Sequence, residues 1–337
     1  MKIAVLMSGG VDSTVSALLL KEAGHQILGL TMVGWDEQAA QKAAAAARGL
    51  GIEHRVVDLR GVFQEKVVDY FCRSYERGET PNPCVECNRW VKFGALLETA
   101  RRMGCDRVAT GHYARVEENT QGRFLLKQGV DQNKDQSYFL YALTGLQLAH
   151  TVFPLGEYSK DEVRALAVRR GLPVAEEKES QEICFVAGDY RDFLKDRVAA
   201  RPGDIVDQKG RLLGTHRGIP FYTIGQRKGV GVAVGRPLYV SALQKESNRV
   251  VLGENRDLFS HSLLAEECNF ITLDSLTESV PVKAKIRYRA ALAEAVITPQ
   301  GNLVRVDFSE AQRAITPGQS VVFYDGDYVV GGGRIVG

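Results

Sequence analysis

The chain has 337 residues, 45% hydrophobic and 25% charged, with a formal net charge of +2. That length calls for two or three domains, and that composition excludes a disordered chain, a collagen-like fibre and a protein announced by its overall charge as a nucleic-acid binder. No apolar run approaches the ~20 residues of a membrane span, Met1 leads directly into a strand rather than a secretory leader, and six cysteines are too sparse for a secreted disulfide framework, so the expectation is a cytoplasmic protein without membrane association whose thiols stay reduced unless they do chemistry.

In chain order, strand-like runs at Ile3 to Met7, Gln26 to Met32, His54 to Asp58 and Arg107 to Ala109 alternate with helical patterns at Asp12 to Ala23, Glu37 to Arg48 and Val62 to Arg77. This βαβαβ spacing predicts an α/β domain with a parallel sheet covered by helices. Val11, Val15, Leu18 and Leu19 share one face of the first helix, and Gly24 is placed to end it. Further helices are expected over Asn88 to Met103, Lys160 to Arg170 and Tyr190 to Val198. From Arg201 onward Gly, Pro and alternating stretches take over, among them Gly203 to Val206, Leu238 to Ala242, Val282 to Arg289, Leu303 to Phe308 and Ser320 to Tyr324. The expected division is 1–200, 201–260 and 261–337, the last two β-rich. Residues 201–260 hold ten Lys and Arg against five Asp and Glu, as a phosphate-facing module or a merely solvated basic face would.

The first strand and helix enclose Leu6-Met7-Ser8-Gly9-Gly10-Val11-Asp12-Ser13. Two glycines let the backbone approach an anion, the first helical N–H groups point at it, and Ser8 and Ser13 add hydroxyls, so a polyphosphate fits. No Gly-Lys-Ser/Thr occurs in the chain and the third spaced glycine of a dinucleotide loop is missing; the Gly-x-Gly within Gly229 to Gly235 follows a basic turn instead of a buried strand. The segment resembles the SGGxDS signature of the PP-loop ATP pyrophosphatases, which split ATP into AMP and pyrophosphate and leave the adenylyl group on a substrate oxygen. Because parallel sheets bind ligands at the carboxyl ends of their strands, Met32 and Gly111 become candidate neighbours of the adenosine.

Thr80-Pro81-Asn82-Pro83-Cys84-Val85-Glu86-Cys87-Asn88-Arg89 places two thiols on a proline-stiffened loop ahead of the helix expected from Asn88, where the helix N-terminus should lower the Cys87 pKa. A lone Cys-x-x-Cys is compatible with half a zinc site, a redox pair or neither, and no second pair completes four ligands. A further thiol stands in Ser180-Gln181-Glu182-Ile183-Cys184-Phe185.

Together with Gly111-His112-Tyr113, Lys134-Asp135-Gln136-Ser137-Tyr138, Gly225-Gln226-Arg227-Lys228-Gly229, Thr316-Pro317-Gly318-Gln319-Ser320 and Gly331-Gly332-Gly333, these motifs resemble the tRNA-specific 2-thiouridylases over essentially the whole chain. The resemblance implies a nucleotide domain of adenine nucleotide α-hydrolase type, a small central domain and a C-terminal β-barrel, the last two holding tRNA. It implies ATP with Mg, adenylation of the C2 oxygen of the wobble uridine, and sulfur transfer from a donor such as a cysteine desulfurase or sulfur-relay protein. It assigns Cys87 as nucleophile and Cys184 as persulfide carrier, Asn82, Pro83 and Cys84 to the target base, and Lys134, Asp135, Gln136, Arg287, Tyr288 and Gln319 to tRNA. Cys84 stands where many relatives carry Asp. Cys84, Cys87 and Cys184 could therefore hold a [4Fe-4S] cluster instead of handling a persulfide, and His112 could stand in for the missing carboxylate base or simply hydrogen-bond near the nucleotide. An amide-forming ligase of the same superfamily, or a zinc-stapled RNA-binding protein, are the rival readings.

Overall fold

The computed structural model describes residues 1–33, 37–173, 183–232 and 235–337. Ser180, Gln181 and Glu182 of the late cysteine motif lie outside them, as does part of the 229–235 segment.

The N-terminal domain is built on a five-stranded parallel sheet of order β3-β2-β1-β4-β7, from β1 (Lys2–Leu6), β2 (Gln26–Val33), β3 (Glu53–Asp58), β4 (Arg107–Ala109) and β7 (Thr151–Val152). The chain reverses its direction of winding between β1 and β4, so the crevice beyond their carboxyl ends is where such sheets take ligands. Helix α1 (Val11–Glu22) packs Val11, Val15 and Leu19 towards α8 (Lys160–Arg169), while Ala17 and Leu20 face the sheet and α2 (Glu37–Gly49). It is thus buried on two sides, where one apolar face was expected, and it stops at Gly24, whose φ of +82° suits glycine.

Two long helices cover the other face. The first runs through α3 (Arg60–Phe63), a π-helical turn (Gln64–Val68) and α4 (Asp69–Glu76); the second through α5 (Pro83–Glu86), a π-helical stretch (Cys87–Ala95) and α6 (Leu96–Arg102). The second starts earlier than expected from the sequence. Pro83 occupies the first helical turn, where its missing N–H costs nothing and its fixed φ suits the helix, so proline begins this helix instead of delaying it to Asn88.

A hairpin, β5 (Ala114–Glu118) and β6 (Phe124–Gln128), leaves this domain and pairs with the C-terminal barrel through Lys127 and Tyr328. Arg115 bonds Asp327 at 2.7 Å, and Lys127 reaches Glu117 at 3.1 Å. After α7 (Gly145–Ala149), α8 and α9 (Tyr190–Leu194) comes a four-stranded sheet of order β10-β11-β8-β9, formed by β8 (Gly203–Asp207), β9 (Leu212–His216), β10 (Tyr239–Gln244) and β11 (Arg249–Gly253). The barrel follows: β12 (Phe259–Phe270), β13 (Val280–Lys285), β14 (Ala293–Gln300), β15 (Leu303–Arg313), β16 (Ser320–Asp325) and β17 (Tyr328–Val336) run β12-β15-β14-β13-β16-β17 and close by pairing β12 with β17. Val282, Ala284 and Ile286 point into it, as their alternation predicted, and Lys283 stands outside beside Glu294. The expected α/β domain, small β-rich domain and closed barrel are all present.

Candidate active site

The phosphate loop follows β1. Gly9 sits at φ +82°, and a Cβ there would fall 2.6 Å from Lys42 Cβ, so the turn tolerates only glycine. The Ser8 N–H donates to Ser13 Oγ at 3.2 Å, and Ser13 Oγ donates to the Gly10 carbonyl at 3.1 Å. No side chain caps α1, leaving its amino end to an anionic ligand. Leu6, Met7 and Val11 send their side chains into packing, with Met7 and Val11 buried, so what they offer a nucleotide is backbone. Met32, at the end of β2, is half-buried.

Asp12 is held from two directions: Lys160 Nζ contacts both carboxylate oxygens at 2.7 Å, and the Tyr113 hydroxyl donates to Oδ1 at 2.8 Å. Lys160 is a residue that the sequence reading missed. Its only local signal is the start of α8, where Ser159 and Glu162 form a capping box, and nothing there predicts an ion pair with Asp12.

Gly111 packs directly on this loop, since a Cβ would lie 2.8 Å from Asp12. The next residue turns the other way. His112 is hydrogen-bonded through Nδ1 to Thr110 Oγ1 at 2.7 Å and lies among Phe93 and Phe153. Burial, aided by the charge of Lys92, holds its pKa well below the usual histidine range. It is a neutral imidazole at physiological pH.

Phe93 and Lys92 belong to the helix that carries the thiols. Cys87 is buried and lies one turn inside that helix, and burial pushes its thiol up to about 12, with Lys92 opposing and the thiols of Cys184 and Cys84 adding to the rise. The sequence expectation of a lowered pKa fails because Cys87 is buried, and the cost of desolvating its thiolate outweighs the attraction of Lys92. Cys84 and Cys184 are solvent-exposed yet ringed by protein, as residues on the wall of a recess are. Burial raises both, and Lys92 opposes it in each case. The three thiols thus share one cation and one recess despite their distance in sequence.

Cys184 is anchored by its neighbour. Phe185 is buried edge-on against Phe63, Phe71 and Phe193 at ring distances of 5.7, 5.3 and 5.4 Å, pinning the segment to the first long helix and α9. All six cysteines are free thiols, and no group of three His, Cys, Asp or Glu residues converges as metal ligands among the described residues.

The remaining predicted contacts divide by accessibility. Asn82 and Pro83 are buried, and Lys134 is half-buried. Asp135 is buried, its carboxylate accepting from Gly129 N, Ser137 N, Ser137 Oγ and Gln128 Nε2, so it shapes the loop beneath Lys134. Gln136 is bonded to the Tyr113 backbone. Arg287 donates to the carbonyls of Arg313 and Ala314, both at 2.7 Å, and Tyr288 packs on Phe139 with ring centroids 4.6 Å apart. Gln319 donates from Nε2 to the carbonyls of Thr80 and Pro81 at 2.9 and 3.2 Å. The group at the thiol recess is therefore Cys84, Cys87, Cys184, Lys92 and His112, while Asp135, Gln136 and Gln319 hold loops.

Iodoacetamide labelling of Cys87 in the free protein should rise about tenfold per pH unit from pH 7 to 9 without a plateau, because so high a pKa leaves the thiolate fraction climbing throughout. A plateau near pH 8, read by peptide mass spectrometry, would mean that burial does not control this thiol.

A parallel sheet with an uncapped glycine turn, linked through Gly111 and His112 to a helix whose thiols cluster with Cys184, has the parts of a nucleotide-activating, sulfur-handling enzyme. Residues 1–188 match the tRNA methyl transferase HUP domain family, 191–254 the tRNA methyl transferase PRC-barrel domain and 260–335 the aminomethyltransferase beta-barrel domain. Full-length relatives identify the branch. The chain is 55% identical to the tRNA-specific 2-thiouridylase MnmA of Syntrophomonas wolfei, covering 99% of this chain and 100% of that one. It is 51% identical to the protein of the same name from Moorella thermoacetica, over 98% of each chain, and 47% identical to that of Clostridioides difficile, over 99% and 98%. The chain belongs to the tRNA-specific 2-thiouridylase family, and is a tRNA sulfurtransferase that uses ATP.

Proposed function

We propose that the enzyme adenylates the C2 oxygen of the wobble uridine and replaces that oxygen with sulfur carried on Cys184. One observation carries this reading: the Gly111-His112 step has one residue against the phosphate loop and the next beside the thiol-bearing helix, so activation and sulfur delivery share a cleft. In the first step the uracil C2 oxygen attacks the α-phosphorus of ATP, the bond to the β-phosphate oxygen breaks, and pyrophosphate leaves. The loop N–H groups, with Ser8, Ser13 and Lys160, stabilise the charge that gathers on the departing group. Asp12, oriented by Lys160 and Tyr113, is the carboxylate that would hold a Mg ion brought with ATP, where the ion would neutralise phosphate charge. Met32 and Gly111 border the adenosine.

Adenylation turns a very poor leaving group into a phosphate monoester. The terminal sulfur of a Cys184 persulfide attacks C2, the C2–O bond breaks, and AMP departs with the former uracil oxygen. Cys87 then attacks the Cys184 sulfur: the S–S bond of the persulfide breaks, its terminal sulfur stays on the base, and a Cys87–Cys184 disulfide forms, to be reduced by an external thiol. Cys84, with Asn82 and Pro83, lines the approach of the base. His112, neutral and hydrogen-bonded, suits a packing and hydrogen-bonding role better than that of a charged acid.

The sulfur is supplied by a donor protein such as a cysteine desulfurase or a relay partner, in the cytoplasm. The units 1–200, 201–260 and 261–337 act as catalytic domain and two RNA-holding domains, with Lys134, Arg287 and Tyr288 along the RNA path. No helix of the described residues is long and apolar enough to cross a membrane. Three thiols in one recess would suit a [4Fe-4S] cluster, but among the described residues they are not arranged as metal ligands, and the route above uses thiols alone. Protein purified without oxygen should therefore thiolate tRNA at full rate with substoichiometric iron and sulfide. Activity that scales with iron content would replace the persulfide by a cluster.

A further inference from the structure

The barrel reaches the loop ahead of the thiol helix through a strap, 316–319. The Thr80 N–H donates to the Pro317 carbonyl at 2.8 Å, and Gln319 Nε2 donates to the carbonyls of Thr80 and Pro81. Gly318 lies between them at φ +88°, so close that a Cβ would meet Glu79 Cβ at 2.8 Å and Thr80 N at 2.9 Å. Arg334 on β17 adds an ion pair to Glu79 at 3.4 Å while also reaching Glu266 and Glu267. The contacts of the strap, and the Arg334–Glu79 pair, fall on the segment Glu79 to Pro81, directly before Asn82, Pro83 and the helix start that presents Cys84 and then Cys87.

A loop entering a helix sets that helix's position and rotation, and two prolines make this entry stiff, so a displacement at Thr80 carries through to Cys84 rather than being absorbed. The strap's own ends are fixed: Gln319 N donates to Thr316 O at 3.2 Å, and Ile335 N to Gln319 O at 2.8 Å. The amide nitrogen of Gln319 is spent inside the protein.

We infer that Gln319 is a positioning residue for sulfur transfer: the barrel, through its 316–319 strap, holds the Thr80-Pro81 entry in the register that places Cys84 and Cys87 in the recess with Cys184. The inference rests on the sulfur-transfer reading above. On this basis the barrel is part of the catalytic architecture as well as a platform for RNA, and its separation from the catalytic domain misplaces the thiols even where the parallel sheet and phosphate loop stay folded.

Gln319→Met keeps the length and loses the donor, leaving two carbonyls without their partner. In the intact enzyme it should speed iodoacetamide labelling of Cys84 in the absence of tRNA and ATP by several-fold and lower kcat for thiolation about tenfold, with Kd for tRNA within twofold of the parent. Gly318→Ala, which strains the same strap without touching the amide, should move labelling and kcat the same way. Unchanged labelling with unchanged kcat in Gln319→Met overturns the inference. So does a tenfold weaker Kd for tRNA with labelling and kcat unaltered, which would make Gln319 an RNA contact alone. The labelling measurement needs no sulfur transfer, so it can fail or succeed independently of the proposed reaction.

Discussion

Cys184→Ser should leave tRNA-dependent release of pyrophosphate from ATP in place, to about one equivalent per tRNA, while AMP release and 2-thiouridine fall on the order of a thousandfold or more. Nothing in the phosphate loop touches Cys184: Gly9, Ser8 and Ser13 are held by one another and by α2, and Asp12 by Lys160 and Tyr113. Removing one sulfur atom from the recess therefore stops the second half of the reaction and spares the first. Cys87→Ser should block release of thiouridine to a similar extent but differ in what accumulates, because Cys184 still delivers its sulfur to C2 and the base then stays joined to Cys184 through the uncleaved S–S bond, with one AMP released per tRNA. Nucleoside mass spectrometry, with pyrophosphate and AMP measured separately, distinguishes the two halves. If both variants thiolate normally, the thiols are bystanders, and an amide-forming or other adenylating reaction regains its claim.

The second large effect is predicted for Phe185→Ala. Phe185 is 1% exposed and touches three other phenylalanine rings edge-on, so truncation leaves a cavity among them and should cost about 3–5 kcal/mol of stability. The same ring is the peg that fixes Cys184, and backbone N–H groups of Cys184 and Phe185 stabilise its thiolate form. Thiolation should fall further than ATP use in the fraction that remains folded. Phe185→Leu, which refills much of the volume, should recover most of the stability and part of the sulfur transfer. Denaturant unfolding beside single-turnover assays at a temperature where both variants are folded checks this. Equal losses of ATP use and thiolation would show that Phe185 supports the domain as a whole and not the thiol in particular.

How much of this was legible in the residues depends on the range of the interaction. Strand, glycine turn and helix at Ser8 to Ser13 are written in adjacent positions, and the parallel sheet follows from local periodicity. The start of the thiol helix was misread because Pro83 can equally end an extended segment or open a helix, and the choice is made by packing: Val85 and Val91 are buried on opposite sides of that helix's entry. The Cys87 pKa was given the wrong sign for a separate reason: burial of the thiol, which no local pattern reports, outweighs the charge of Lys92. Lys160 was invisible, since its partner Asp12 is 148 positions away. The hairpin 114–128 looked like part of the first domain, and only pairing with Tyr328 reveals that it extends the barrel sheet. Gln319 belonged to a recognisable motif, yet its bonds to Thr80 and Pro81 span more than two hundred positions, and no periodicity reports such a contact.

The account stands on the departure of the uracil oxygen as part of AMP. Wobble uridine carrying a heavy oxygen isotope at C2, incubated with enzyme, ATP, donor and Mg, should pass its label to the phosphate of AMP in step with 2-thiouridine formation. Label appearing in water or pyrophosphate, with AMP unlabelled while thiouridine accumulates, would contradict it.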